Sequence, residues 1–179
     1  MTFVVDGTNG LTFNDATTQA STATNASNIS SGTLGKARLP TGSVLQVVSA
    51  TYATQVTNST TTLTDTGLTV TITPSSATSK IFCVANIAGI YNGGNANIGT
   101  KLQLQRNGSN INQFAIYANY SGFGGNMLTS AGTNYLDSPA TTSATIYKVQ
   151  FSKSDPTAGT TSVQQNSDVS SITVMEIAA

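Results

Sequence analysis

Leu68-Thr69-Val70-Thr71-Ile72-Thr73 alternates large apolar residues with threonine at a period of two. Successive side chains of a β-strand point to opposite faces, so this stretch has one buried face and one wetted face. β-Branched residues lose rotamer freedom in a helix and fit a pleated surface, which argues against a helix here. The same reading extends outward along the chain. Leu102 and Leu104 alternate with Lys101, Gln103 and Gln105; Phe114 and Ile116 alternate with Gln113 and Ala115. Between these two segments, Asn107-Gly108 offers a tight hairpin turn. Tyr147, Val149 and Phe151 alternate with Ile146, Lys148 and Gln150, and residues 171–177 form a last strand. Residues 80–90 are nearly all apolar, which predicts a central strand covered on both faces. No stretch carries a capped 3.6-residue period. About eight strands of five to ten residues, separated by turn signals, predict a jelly-roll-like β-sandwich head over residues 43–179.

The first 42 residues differ. Phe3-Val4-Val5 and Leu11-Thr12-Phe13 flank the turn-rich Asp6-Gly7-Thr8-Asn9-Gly10, which predicts a short hairpin. Residues 14–32 are Thr, Ser, Ala and Asn with almost no apolar side chains, too little to fold alone. They serve as a linker or are ordered by neighbouring chains. Residues 33–42 form a connector punctuated by Pro40 and Gly42. The chain thus divides into an extended N-terminal arm and connector, 1–42, and a head, 43–179.

Charged residues are 8% of the chain and the net charge is zero. A neutral surface has no field to gather phosphates, which disfavours nucleic acid as a partner. It also lacks the charge that keeps monomers apart, which points to burial against identical chains. No apolar run is long enough for a membrane helix, and the start has no basic segment followed by a long apolar one. The expectation is synthesis in a host cytoplasm without membrane insertion.

Histidine is absent and cysteine occurs once, as Cys83. A Ser-His-Asp or Cys-His arrangement and a zinc site of His and Cys are therefore excluded. Cys83 lies in the apolar run Ile81-Phe82-Cys83-Val84-Ala85 and reads as a small core residue. Seven acidic residues are scattered. Asp137-Ser138-Pro139 and Asp155-Pro156 read as turn formers rather than ligands. No phosphate-binding glycine loop is present. The expectation is a non-enzyme without metal or cofactor.

Two stretches are rich in the residue types that recognise surfaces: Tyr91-Asn92-Gly93-Gly94-Asn95-Ala96-Asn97 and Asn119-Tyr120-Ser121-Gly122-Phe123-Gly124-Gly125-Asn126. Aromatic rings supply flat apolar area at low entropic cost, while amides and hydroxyls supply adaptable hydrogen bonds. That combination suits a sugar ring. Tyr91, Asn92, Asn95, Tyr120, Phe123 and Asn126 are the candidate receptor-binding residues. The same aromatics would equally serve by packing on the core or on a neighbouring subunit.

Several islands resemble the fibre proteins of bacteriophages, especially those of aquatic and cyanobacterial viruses. They are Asp6-Gly7-Thr8-Asn9-Gly10-Leu11-Thr12-Phe13 with Thr17-Thr18-Gln19-Ala20, residues 29–40, Gly42-Ser43-Val44-Leu45-Gln46-Val47-Val48, residues 68–81, Tyr135-Leu136-Asp137-Ser138-Pro139-Ala140-Thr141-Thr142-Ser143, and Ile172-Thr173-Val174-Met175-Glu176-Ile177. The resemblance implies a homotrimer on the surface of a virion. An N-terminal arm would join other virion proteins, with Phe3, Val5, Leu11 and Phe13 as candidate attachment residues. A distal head would meet a host surface glycan or protein. A tail or baseplate fibre is the first reading and a capsid decoration or head-fibre protein the alternative. A glycan depolymerase is disfavoured by the scarce carboxylates and the missing repeats.

Overall fold

The computed structural model describes residues 4–6, 10–12, 18–19, 35–93, 96–157 and 159–179. It divides into two compact units, Met1–Arg38 and Leu39–Ala179. In the first, β1 (Val4–Asp6) pairs antiparallel with β2 (Gly10–Thr12), and β3 (Thr18–Gln19) adds to β2. The predicted hairpin is present and gains a third short strand from the stretch read as lacking structure. Val5 and Leu11 face each other across it. Phe3 and Phe13 lie outside the described residues.

The second unit carries the head. Its strands are β4 (Val44–Tyr52), β5 (Val56–Asn58), β6 (Thr64–Ile72), β7 (Lys80–Gly93), β8 (Ile98–Arg106), β9 (Ser109–Ser121), β10 (Asn126–Asp137), β11 (Thr145–Lys153), β12 (Thr161–Val163) and β13 (Ser170–Ile177). All described strand pairings are antiparallel. One sheet runs β4-β13-β7-β10, with β12 and β5 continuing it on the β13 side of β7. The other runs β6-β11-β8-β9. Eight long strands so ordered, with the chain passing back and forth between two sheets, form a jelly roll. The fold is the expected all-β sandwich.

Between the sheets lie Leu68, Val70 and Ile72 of β6, Ile81, Cys83, Ala85, Ile87 and Ile90 of β7, Leu102 and Leu104 of β8, Tyr147, Val149 and Phe151 of β11, and Ile172 and Val174 of β13. These are the apolar positions of the period-two segments. Burial of one large aliphatic or aromatic side chain contributes about 1.5–3 kcal/mol. Gly67 sits at φ +85 in β6, and a Cβ there would lie 2.3 Å from the Tyr52 ring. Its missing side chain lets Tyr52 pack across β6. Cys83 is a core residue, as expected: burial, and then the negative Asp137 nearby, push its thiol up to about 12.

Two expectations need correction. β7 is central in its sheet, but only one of its faces is covered. Ile81, Cys83, Ala85 and Ile87 are buried, whereas Val84 and Asn86 are exposed. The apolar run therefore supplies an apolar outer face as well as a core face. In β8 the alternation predicted a wetted face, yet Gln103 and Gln105 are buried. β8 lies between β11 and β9, so its outward side chains are hemmed in by those of its neighbours.

The two outer faces contrast. On the β4-β13-β7-β10 sheet, Val47, Met175, Phe82 and Leu136 are cross-strand partners in one row. The next rows are Ser49, Thr173, Val84 and Asn134, then Thr51, Ser171, Asn86 and Gly132. None of these twelve residues is charged. Val47 is 56% exposed and Leu136 55%. On the other sheet, the Lys148 ammonium donates to Asp65 at 2.9 Å, the Gln150 amide donates to Asp65 at 2.6 Å, and the Gln103 amide donates to Gln150 at 3.4 Å.

Candidate binding site at one end of the sandwich

The segments joining β7 to β8, β9 to β10 and β11 to β12 gather at one end of the head. Asn97 N–H donates to the Ser121 carbonyl at 2.7 Å, and the Thr157 hydroxyl donates to the Asn97 carbonyl at 3.4 Å. The strands reach further into the sequence-predicted loops than expected. Tyr91, Asn92 and Gly93 belong to β7, residues 119–121 to β9, and Asn126 to β10. The β9–β10 connection is left with residues 122–125.

This end is organised by two buried amides. Asn92 Nδ2 donates to the carbonyls of Ile98 (2.9 Å) and Asn119 (2.6 Å). Asn119 Nδ2 donates to the carbonyls of Ile90 (3.1 Å) and Met127 (2.7 Å) and to Asn92 Oδ1 (3.3 Å). The pair thus joins β7, β8, β9 and β10 across the two sheets. A side-chain amide has both donors and an acceptor, so two of them can satisfy several backbone groups at once. Asn92 was a receptor-binding candidate; it is fully buried and serves as scaffold instead. The sequence pattern missed this because a tyrosine- and glycine-rich context reads the same for a loop and for a strand end.

Asn119 has a second effect. Its φ is +58, in the left-handed region that asparagine tolerates better than most residues. The β8–β9 register slips there: Ile98 pairs with Ser121, and Thr100 with Ala118. Between these pairs one residue on β8, Gly99, opposes two on β9, Asn119 and Tyr120, which is a bulge. In an unbroken strand, residues three apart point to opposite faces. Across this bulge Tyr117 and Tyr120 come to the same side, with ring centroids 5.4 Å apart and planes at 80°. That edge-to-face arrangement is favoured by the ring quadrupoles.

The two tyrosines form one wall of an open pocket of about 500 Å³ completed by Asn97, Asp155 and Thr157. Tyr120 O–H donates to Asn97 Oδ1 at 3.0 Å. Gly99 allows β9 to approach: a Cβ there would sit 2.9 Å from Tyr117 Cα. The Gly99 N–H and carbonyl are both held by Ser154, whose hydroxyl also donates to Asp155 Oδ2 at 3.0 Å. Lys153 is buried, and its ammonium donates to the carbonyls of Thr157 and Gly159, which shapes the segment carrying Asp155 and Thr157.

Of the other candidates, Tyr91 is half-buried and pairs with exposed Leu128 on the β7–β10 ladder. Phe123, 85% exposed, stands at the apex of the β9–β10 connection, where Ser121 Oγ donates to its carbonyl. Asn126 is exposed at the start of β10 and Asn95 lies outside the described residues. Of the described candidates, only Tyr120 lines the pocket. Tyr117, Asp155 and Thr157 were missed, since nothing local signals that three distant segments meet. Asp155 sits in the predicted turn but also borders the pocket. Asp137, the other predicted turn former, ends β10 and is buried. It accepts from Arg106 Nη1 at 2.8 and 2.9 Å and from the Tyr147 hydroxyl at 2.7 Å. Burial, and then the Asp137 charge, push the Tyr147 hydroxyl pKa up. Among the described residues, no cluster of three His, Cys, Asp or Glu could hold a metal ion.

No protein-family model and no curated protein matches the chain. Among solved structures, the VP2 subviral particle of infectious bursal disease virus aligns with a TM-score of 0.45 and 11% identity, over 76% of this chain and 34% of that one. The structure of the Gx strain of the same virus aligns with a TM-score of 0.46 and 12% identity, over 74% and 32%. The T=1 particles derived from that virus align with a TM-score of 0.41 and 11% identity, over 76% and 37%. The chain spans about a third of the length of these structures.

Proposed function

We propose that this protein is a structural component of a bacteriophage particle, a tail or baseplate fibre whose jelly-roll head assembles as a homotrimer and contacts the host surface. The observation that carries the assembly is the apolar row of Val47, Phe82, Met175 and Leu136 on the outer face of the β4-β13-β7-β10 sheet, followed by two rows without charge and with Lys80 beyond its other side. A contiguous apolar patch on a soluble head marks an interaction surface. A copy of the same chain suits it, because both partners then bring the same apolar row, which holds no ion to desolvate. The sequence islands shared with phage fibres support the same reading.

Contact with the host is supported by the opposite kind of surface, the end bearing Tyr117, Tyr120 and Phe123. Three copies would present three such ends, so weak individual contacts would combine through multivalency. A non-enzymatic role is supported by the carboxylates: Asp137 is taken by Arg106 and Tyr147, Asp65 by Lys148 and Gln150, and Glu176 by Ser75 and Gln46.

The full chain should run as a trimer in light scattering, bind host cells and block adsorption of the parent phage. A monomer at micromolar concentration would overturn the assembly, and absence of cell binding would overturn the adhesive role. Antibody labelling in electron micrographs tests the placement: label on the capsid instead of the tail would make it a capsid decoration or head-fibre protein.

A further inference from the structure

We infer that the pocket bounded by Asn97, Tyr117, Tyr120, Asp155 and Thr157 is a subsite for one neutral pyranose unit of a surface glycan. The inference rests on the adhesive reading above and specifies its ligand. Tyr117 is 54% exposed and Tyr120 45%, so the wall they form is open to a flat apolar partner. The C–H face of a sugar ring is such a partner, and its rim of hydroxyls needs acceptors and donors nearby. Both are in place. Asp155 Oδ2 accepts from Ser154, while Oδ1 makes no hydrogen bond among the described residues. Asn97 accepts from Tyr120 through Oδ1, while its Nδ2 donates to none of them. A carboxylate oxygen and an amide N–H₂ thus border the same aromatic wall with free hydrogen-bonding capacity.

The charge of the lining selects the sugar class. Asp155 is its charged residue, and the neighbouring cation, Lys153, is buried against its own loop. Uronates, sialylated and sulfated sugars would therefore bring a second negative charge to Asp155 with no cation to receive it. Two aromatic rings with a carboxylate also suit an organic cation. The polar rim of Asn97 and Thr157 favours the sugar, since a quaternary ammonium has no hydrogen bond to exchange with it. Phe123, although the most exposed aromatic among the described residues, is not in the lining.

The experiment is saturation-transfer NMR and titration of the full chain with the methyl glycosides of glucose, galactose, mannose and N-acetylglucosamine, beside methyl glucuronide and choline. At least one neutral glycoside should saturate with a Kd on the order of 1 mM, and glucuronide and choline should bind more weakly. Tyr117→Ala and the isosteric Asp155→Asn should each weaken that binding about tenfold or more. Failure of every neutral glycoside, preference for glucuronide or choline, or wild-type binding by Tyr117→Ala or Asp155→Asn would overturn the subsite. Cell binding separates the two readings. If wild-type protein binds host cells and both pocket variants bind equally well, the subsite falls and adhesion stands; if wild-type protein does not bind cells, adhesion falls.

Discussion

The two sheets of the head have the same core chemistry and opposite outer surfaces. The centre of the β4-β13-β7-β10 sheet is regular: β13 pairs with β7 over seven positions without a slip in register. Three of its outer rows run from apolar to small and polar with no charge, and Lys80 stands beyond the apolar one. The β6-β11-β8-β9 sheet carries a hydrogen-bonded net of Asp65, Lys148, Gln150 and Gln103 outside, and its edge strand is repeatedly bulged. β9 uses 13 residues to match 9 on β8. A flat uncharged face suits repetition of one subunit against another. A bulged edge re-aims individual side chains, which is what a recognition site needs. Under the proposed function, the difference would put assembly on one sheet and binding at the edge of the other.

The largest effect should come from charging the apolar face. Val47→Lys with Leu136→Lys places like charges on two exposed positions of one row. The expected outcome in light scattering is conversion of trimer to folded monomer, while Thr69→Lys on the other sheet leaves the trimer intact. If both variants remain trimeric, the two faces do not differ in the way argued here.

Next is acid. Burial works to raise the Glu176 pKa, but hydrogen bonds from Ser75, Ser79, Gln46 and the Ser75 N–H overcome it and hold the carboxylate at about 2, against 4.5 unperturbed. The folded state therefore binds this proton less readily than the unfolded chain. Its stabilisation is complete above about pH 4.5 and disappears as pH falls toward 2, a loss on the order of 3 kcal/mol. Denaturant titrations across that window should show the slope, and Glu176→Gln should flatten it. Glu176 anchors residue 75 to β13, so this measures how firmly the β4-β13-β7-β10 sheet holds its end.

Asn119 tests the bulged sheet. Asn119→Ala removes three donated hydrogen bonds and places a less tolerant residue at positive φ, which should cost about 2–3 kcal/mol in chemical denaturation. Asn119→Gly keeps the backbone conformation and loses only the amide, so the difference between the two variants reports the strain. Both should weaken binding at the Tyr117–Tyr120 wall without altering the trimer.

The smallest effect belongs to the polar face. Lys148→Met breaks the pair with Asp65, whose pKa is lowered because the hydrogen bonds from Gln150 and Lys148 and the Lys148 charge outweigh burial. Both partners are solvent-accessible, so unfolding should shift by less than about 1 kcal/mol with no change in subunit number.

Most of the architecture was legible in the sequence. Leu68, Val70 and Ile72 declared their face because period two is a local property, and so did Tyr147, Val149 and Phe151. The same logic misread residues 80–90, where an apolar run does not say whether its second face meets another layer or is left bare. The site was less legible. Tyr120 stood out by its company, but its partners come from residues 97, 117, 155 and 157, and only the strand order brings them together. Asn92 looked like a surface contact because residue type carries no information about burial at a strand end.

The sequence by itself determined an all-β chain and the lack of histidine chemistry, since these follow from composition and nearest-neighbour periodicity. Tertiary structure decided which outer face stays apolar and that Tyr117 and Tyr120 share a side. Both depend on long-range strand pairing and on one left-handed asparagine whose amide nitrogen donates only to residues on other strands.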